Sequence, residues 1–355
     1  MARVWEGLAT CFAEEGHDVR VIAREFPGQA KHEFINGVEY IRFGGFDQGT
    51  NVYADLCKDF IYAARTVRKI PPADILVTND FFLPMMAGWL NRKAGKLVLS
   101  ANRYPKRQFP LYRKVGIIAA ASTTVADAIA KQSSNLSMKT KVIPNPVDTN
   151  LLAEGPLDRL SSETFSVLFV GRVHPEKGLE ILVKSLEYID LKCVIRLDIV
   201  GPTERSQGGG GNQYLNHLKA LSLNTKHTVV FHGPEFSLKK LCTWYQNSTL
   251  FCYPTIAENG EAFPVAPIEA MATGLVPIVS NLKCFDDLII DKYNGFTFDI
   301  RASNPSFDLG RIIANSLGNI QQLRSMSAFA RSTAEKFSFP LVAKAFLKEF
   351  EGLVS

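Results

Sequence analysis

Short apolar runs of strand length alternate with helix-length stretches along the whole of this chain. That alternation restricts the fold to the α/β class with parallel sheets, because parallel neighbours need a crossover between them and a helix is the usual one. In the first half the pattern predicts strands at 19–23, 39–43, 75–78, 96–100, 117–121 and 141–143, with helices near 4–15, 53–69, 83–93 and 125–132. Pro144-Asn145-Pro146 ends this set, and a polar stretch follows. A second set places strands at 166–170, 196–200, 228–231, 250–253, 276–279 and 295–298. Its helices fall near 178–186, 213–221, 238–246, 267–273, 308–315 and 320–336. The organisation that results is a Rossmann-like domain over 1–150, a linker over 151–163, a second Rossmann-like domain over 164–336 and a final helix in 337–355. In that helix Leu341, Val342, Ala345, Phe346 and Phe350 line one apolar face. Two doubly wound domains of similar size are expected to face each other across a cleft, where sheets of this kind bind ligands.

The first residues do not fit the pattern. A doubly wound domain normally opens on a strand, which becomes a central strand of its sheet. This chain opens on helix-like Val4-Trp5-Glu6-Gly7-Leu8-Ala9, so the first strand is absent. The expectation is a start placed too far downstream, or a trimmed chain.

The bulk numbers exclude several classes. At 355 residues, 46% of them hydrophobic and 21% charged, the chain is of ordinary globular composition and long enough for two cores. The longest apolar run, Phe81 to Leu90, is too short to span a bilayer, and no secretory signal pattern opens the chain. Six cysteines (11, 57, 193, 242, 252 and 284) show no C-x-x-C pair and are expected to be reduced core residues of a cytoplasmic protein. Residues 1–150 hold 20 Lys+Arg against 14 Asp+Glu, so the first domain is the basic one. A basic surface suits a phosphate-bearing ligand or the anionic inner face of a membrane, and it also suits plain solvation.

The chemistry concentrates in Glu261-Ala262-Phe263-Pro264-Val265-Ala266-Pro267-Ile268-Glu269. Two carboxylates stand eight positions apart, one before a predicted helix N-terminus and one inside the helix. Backbone N–H groups at such a terminus attract phosphate. Carboxylates beside it are strong acceptors for hydroxyl groups. A ligand with both phosphates and many hydroxyls is a nucleotide-sugar. A second element fits the same ligand. The strand at 166–170 runs into Gly171-Arg172, and Lys177-Gly178 follows. Two cations at the carboxyl edge of a sheet can grip a pyrophosphate, Arg as a fork and Lys as a point charge.

With these residues the chain resembles the retaining glycosyltransferases of the family 4 group, which have the two-domain GT-B fold. The resemblance rests on Gly171-Arg172 with Lys177-Gly178, on the Glu261-x7-Glu269 pair, and on Ile143-Pro144-Asn145-Pro146-Val147-Asp148 at the domain junction. It implies that Arg172 and Lys177 neutralise the donor diphosphate, that Glu261 binds hydroxyls of the transferred sugar, and that Glu269 binds the ribose. Backbone N–H groups around Ala262, Phe263 and Val265 complete the contacts, Pro264 having none to give. The base is expected near Gly233–Phe236, and the last helix is expected to cross back to the first domain. No metal and no cofactor is implied; the nucleotide-sugar is a co-substrate.

For the acceptor the resemblance is weaker, since the family's His is missing from the tip of the strand ending at Ser100. The segment from Asn102 to Lys114 carries five cations, three aromatics and no acid. Asn102, Arg103 and Lys106 are candidate acceptor contacts there, or part of a solvated basic loop; nucleic acid is not expected. Asp80 is a candidate acceptor contact or a helix N-cap. Gly208–Gly211 reads as a flexible surface loop, and His174 and His232 as structural polar contacts. The expected activity is transfer of a sugar to a glycan or lipid-linked glycan. A nucleotide-sugar epimerase or hydrolase of the same fold, or a non-catalytic nucleotide-sugar-binding protein, stands as the alternative.

Overall fold

The computed structural model describes residues 2–47, 49, 51–90, 94–160, 165–191, 193–258 and 260–355. The last three residues of the helix expected over 83–93, and 161–164 around the expected end of the linker, lie outside the described residues. The chain divides into two compact units: Met1–Pro146 with Phe339–Ser355, and Val147–Ser338.

In the first unit α1 (Ala2–Glu14) leads into β1 (Val19–Arg24), β2 (His32–Ile35) and β3 (Val38–Phe43). Then come α2 (Val52–Val67), β4 (Ile75–Thr78), α3 (Leu83–Leu90), β5 (Lys96–Ala101), β6 (Ile117–Ala120), α4 (Thr123–Gln132) and β7 (Thr140–Val142). The strands form two sheets, ordered β1-β3-β2 and β4-β5-β6-β7. All pairs are parallel except β2 with β3. Strand β2 is not among the expected strands. It is joined to β3 by Asn36-Gly37, both at positive φ (52° and 79°), the two-residue hairpin geometry that Asn-Gly favours. The inner strands β5 and β6 are buried almost throughout, whereas β1 and β4 are edge strands and only half-buried.

The second unit contains β8 (Phe165–Val170), α5 (Leu179–Ser185), β9 (Ile195–Val200), α6 (Asn212–Ser222), β10 (Thr228–Gly233), α7 (Leu238–Gln246) and β11 (Leu250–Tyr253). It continues through α8 (Val265–Ala272), β12 (Pro277–Ser280), β13 (Phe296–Phe298), α9 (Pro305–Gly318) and α10 (Ile320–Glu335). Its six strands are parallel in the order β10-β9-β8-β11-β12-β13. From β8 the chain builds outward in one direction through β9 and β10, then returns and builds in the other from β11. The switch point therefore lies between β8 and β11, and the crevice at the carboxyl ends of those two strands is where such sheets take ligands. Val167, Leu168, Phe169, Leu197, Ile199, Phe251 and Ile278 are fully buried, as expected for strands covered on both faces.

Three expectations need correction. The described part of the expected linker, 151–160, is packed: Leu152 (0% exposed) and Leu160 (3%) are buried, and the Gly155 amide donates to the Thr273 carbonyl at 3.0 Å. Its polar composition concealed a few well-placed apolar anchors. The final helix, α11 (Phe339–Val354), does group with the first unit, but its buried residues are Val342, Ala343 and Phe346, while Leu341 and Ala345 are exposed. Phe346 packs on Trp5 and Phe12 of α1, with ring centroids 5.6 and 6.3 Å apart. Cys57 is also exposed rather than a core residue.

Phe346→Ala should lower the unfolding free energy of the first unit by about 3–5 kcal/mol, the cost of emptying a buried aromatic site. Urea denaturation followed by the fluorescence of Trp5, with Trp89 and Trp244 replaced by Phe, reads this directly. A midpoint equal to wild type would show that α11 does not hold this unit together.

Candidate functional site

Both loops at the switch point belong to the second unit. After β8, Pro175–Lys177 forms a single 3-10 turn, with His174 at its N-cap accepting from the Glu176 amide. Gly178 closes the turn at φ +66°. A Cβ there would lie 1.9 Å from the Pro254 carbonyl oxygen, so only glycine lets the loop after β11 approach this closely. The approach is stitched by the Ile256 amide and the Thr255 hydroxyl, which donate to the Glu176 carbonyl at 2.9 and 3.0 Å.

That closeness brings Lys177 to Glu261. The ammonium donates to Glu261 Oε1 in a buried ion pair; the two residues are 6% and 7% exposed. Tyr253 Oη donates to the same oxygen at 3.1 Å, and the single Thr255 hydroxyl proton is shared between this oxygen (3.3 Å) and the Glu176 carbonyl. The Lys177 ammonium also stands 5.3 Å from the centroid of the Tyr253 ring. Burial, and then the Glu261 charge, push the Tyr253 phenol well above its ordinary pKa, so it stays a neutral donor. Burial likewise raises the Cys284 thiol to about 12, with Glu261 adding to the effect. A buried pair of this kind is tolerable only where further donors satisfy the carboxylate, and Tyr253 and Thr255 do that.

Arg172 stands at the mouth of the same turn and is 45% exposed in its side chain. Its Nη2 donates to Glu176 Oε1 at 2.5 Å, and its Nη1 to the Gly208 carbonyl at 3.2 Å. Gly208–Gly211 is therefore a built loop, which corrects its reading as flexible. The Gly209, Gly210 and Gly211 amides donate to the Glu204, Val173 and Thr203 carbonyls, each at 2.8 Å.

Ala262, Phe263 and Pro264 are buried, Pro264 is the N-cap of α8, and Val265 is its first residue. Glu269 lies on α8 and accepts from Tyr245 Oη at 2.8 Å. Burial first, and Glu269 second, keep Tyr245 protonated. His232 Nε2 lies 2.6 Å from Asp198 Oδ1, while Gly233 ends β10 and Phe236 is exposed.

In the first unit Asp80 is a helix cap: its Oδ1 accepts from the Phe82 and Leu83 amides at 2.7 Å each, at the start of α3. Burial raises its pKa, and the two amide bonds oppose that rise. Of the two roles expected for Asp80, this is the helix cap. Asn102 Nδ2 donates to Ser100 Oγ at 2.7 Å, and Arg103 and Lys106 are exposed. The basic segment is anchored by buried Phe109 and Tyr112, the latter donating to the Phe81 carbonyl at 3.0 Å.

Sequence reasoning missed Tyr253, Thr255 and Tyr245. Tyr253 is the last residue of a strand ending at the ligand edge, a signal that position alone could have supplied. Among the described residues, no group of three or more His, Cys, Asp or Glu is arranged to hold a metal ion.

Comparison with known proteins bears on the family and the fold. The family described as "Glycosyltransferase Family 4" matches residues 1–151, and "Glycosyl transferases group 1" matches residues 159–308. The chain belongs to the family 4 glycosyltransferases, and its two units are those of the GT-B fold. It is 22% identical over 220 residues to a lipopolysaccharide 1,2-N-acetylglucosaminetransferase from Salmonella typhimurium, covering 59% of this chain and 56% of that one. It is 23% identical to a D-inositol 3-phosphate glycosyltransferase from Paenarthrobacter aurescens, covering 74% of this chain and 65% of that one. The chain thus spans less than two thirds of the length of both relatives. Among solved structures, HepE of Anabaena with UDP and glucose has the same fold, with a TM-score of 0.74, 17% identity, and 99% of this chain and 95% of that one covered.

Lys177→Met should destabilise the second unit by about 3–5 kcal/mol, because it leaves a buried carboxylate without its counter-charge. Adding Glu261→Leu to it should recover a good part of that loss in a urea titration read by Trp244, which lies in the second unit, with Trp5 and Trp89 replaced by Phe. A double variant as unstable as the sum of the two single ones would mean that the pair is not coupled.

Proposed function

We propose that this protein transfers a sugar from a nucleotide-sugar to a glycan or lipid-linked glycan, with retention at the anomeric carbon and without a metal ion. The observation that carries the reading is the buried Lys177–Glu261 pair at the switch point, with Arg172 at its mouth. Family membership supports it. The UDP and glucose bound by HepE make uridine nucleotides the first donors to test. The lipopolysaccharide and inositol-phosphate names of the two relatives support a glycan or phosphate-bearing acceptor.

The mechanism follows from where charge grows. As the bond between the sugar C1 and the diphosphate oxygen breaks, negative charge gathers on the leaving phosphate and positive charge on the ring. Lys177 has three donor hydrogens, of which Glu261 takes one, so the others serve a phosphate oxygen. Arg172 adds a second cation, and preorganised charge of this kind is the main catalytic contribution. The two cations take the place that a divalent metal would fill. The bonds from Lys177, Tyr253 and Thr255 all use Oε1 of Glu261, which turns Oε2 to a sugar hydroxyl. Tyr245 orients Glu269 toward the ribose hydroxyls. Amides of Ala262, Phe263 and Val265 complete the donor contacts. The acceptor oxygen then bonds C1 on the face the phosphate leaves, and its proton passes to the departing phosphate oxygen.

The first unit takes the acceptor. Arg103, Lys106, Arg107, Arg113 and Lys114 are exposed in one segment, with Leu111 (58% exposed) and Phe81 (43%) beside them. No helix among the described residues is long and apolar enough to cross a membrane. A cytoplasmic protein resting on the anionic inner face of a membrane accounts for this surface.

A thermal-shift panel of nucleoside diphosphates, followed by transfer of labelled sugar to candidate acceptors, tests the reading. Full-rate donor consumption without acceptor would favour a hydrolase or epimerase, and binding without transfer a non-catalytic protein. Product anomeric configuration by NMR and turnover in chelator test retention and metal independence. Arg172→Ala, at an exposed position, should lower kcat about 100-fold or more with a smaller effect on donor affinity. Unchanged turnover would remove that role. Replacing Arg103, Lys106 and Arg107 together by Gln should abolish sedimentation with vesicles containing phosphatidylglycerol, and retained sedimentation would refute the membrane surface.

A further inference from the structure

We propose that Arg159 and Arg331 are positioning residues that hold the carboxyl end of α8 and thereby fix the donor groups at its other end. The proposal deepens the transferase reading, and only its kinetic arm depends on that reading.

Helix α8 is eight residues long, about 12 Å at the usual rise. It carries Glu269 and begins next to the segment containing Glu261. Its amino end is held by no side-chain cap, because the N-cap is Pro264, and no acid stands in its first turn. The carboxyl end is different. Arg159 donates from Nη1 and Nη2 to the Thr273 carbonyl, both at 3.1 Å. Arg331 donates from Nη1 to the Ala272 carbonyl and also, at 3.3 Å, to the Leu152 carbonyl. The Gly155 amide reaches Thr273 O at 3.0 Å, and Ser327 Oγ reaches Gly274 O at 2.6 Å. Three separated pieces of chain, 152–160, α8 and α10, therefore meet at one helix terminus.

Two guanidiniums suit that position. The last carbonyls of a helix lack partners within it, and the macrodipole places partial negative charge there. Arg159 is nevertheless a costly choice. It is 6% exposed, its Nε has no acceptor among the described residues, and its strongest contacts are carbonyls. Burial lowers its pKa to about 10, which keeps it charged at neutral pH. An apolar side chain would pack here without that penalty. What the guanidinium adds is direction: a fork aimed at one carbonyl sets where the helix ends, and a rigid helix sets where it begins.

The test uses the whole protein with Arg159→Gln, Arg159→Lys and Arg331→Gln. Amide hydrogen exchange is read without ligand on peptides covering 262–275 and, as a control, on β8 and β9. Arg159→Gln should speed exchange in 262–275 by about 10-fold or more while β8 and β9 stay at wild-type rates, and Arg159→Lys, which keeps the charge but loses the fork, should restore only a minor part of the protection. With a donor that the wild type uses, Arg159→Gln should lower kcat by about 10- to 100-fold, more than it raises the donor KM. Wild-type exchange in 262–275 for both Gln variants would overturn the proposal, as would equal acceleration in β8 and β9, which means general loosening. If Arg159→Gln does not fold, Arg331→Gln and Arg159→Lys decide by the same readings. If the wild type transfers no sugar from any donor, the transferase reading falls while the exchange measurement still decides the role of the arginines.

Discussion

Two opposite charges buried against each other at the switch point of the second sheet set the conditions for the rest of that unit. Lys177 and Glu261 are 84 positions apart, so nothing local brings them together. They meet because β8 and β11 are neighbours, because Gly178 has no side chain to hold the two loops apart, and because Glu176 O receives both Ile256 and Thr255. Either charge alone at this depth would be strongly destabilising, whereas the pair with two hydroxyl donors is tolerated. The contact thus constrains sheet order, loop length and glycine placement together.

The same constraint explains the division of labour among the polar groups. Tyr253 and Tyr245 are both buried phenols that donate to a glutamate, and burial keeps both protonated. Each fixes a carboxylate in orientation without adding charge. The exposed cation, Arg172, is instead tied to Glu176 and the Gly208 carbonyl at the surface, where water shares the work.

Most of the strand pattern was legible because buried parallel strands are apolar on both faces, and runs such as 166–170 and 250–253 are unmistakable. Strand β2 escaped because three of its four residues are exposed, so burial left no periodicity to read. The signal that was present, Asn36-Gly37, was local and concerned the turn. Residue types at the site were legible from the Glu261–Glu269 spacing and the Arg172–Lys177 element. Their mutual pairing was not, because a motif records what each residue can bind and says nothing of which neighbour it meets in the folded chain. Arg159 was hidden for a related reason: one charged residue in a polar stretch looks solvated until its burial is known. Asp80 shows the converse, since a carboxylate near a strand end serves a helix amide as readily as a ligand.

The grouping of α11 with α1 has a consequence for synthesis. The second unit is one uninterrupted stretch of chain, Val147–Ser338, whereas the first needs Phe339–Ser355 to cover Leu8, Phe12 and Trp5. As the polypeptide leaves the ribosome, the earlier-made portion must wait with that apolar helix face uncovered until Phe339–Ser355 emerges. Val147–Ser338, made later, is complete first, which reverses the usual order in which domains mature along a nascent chain.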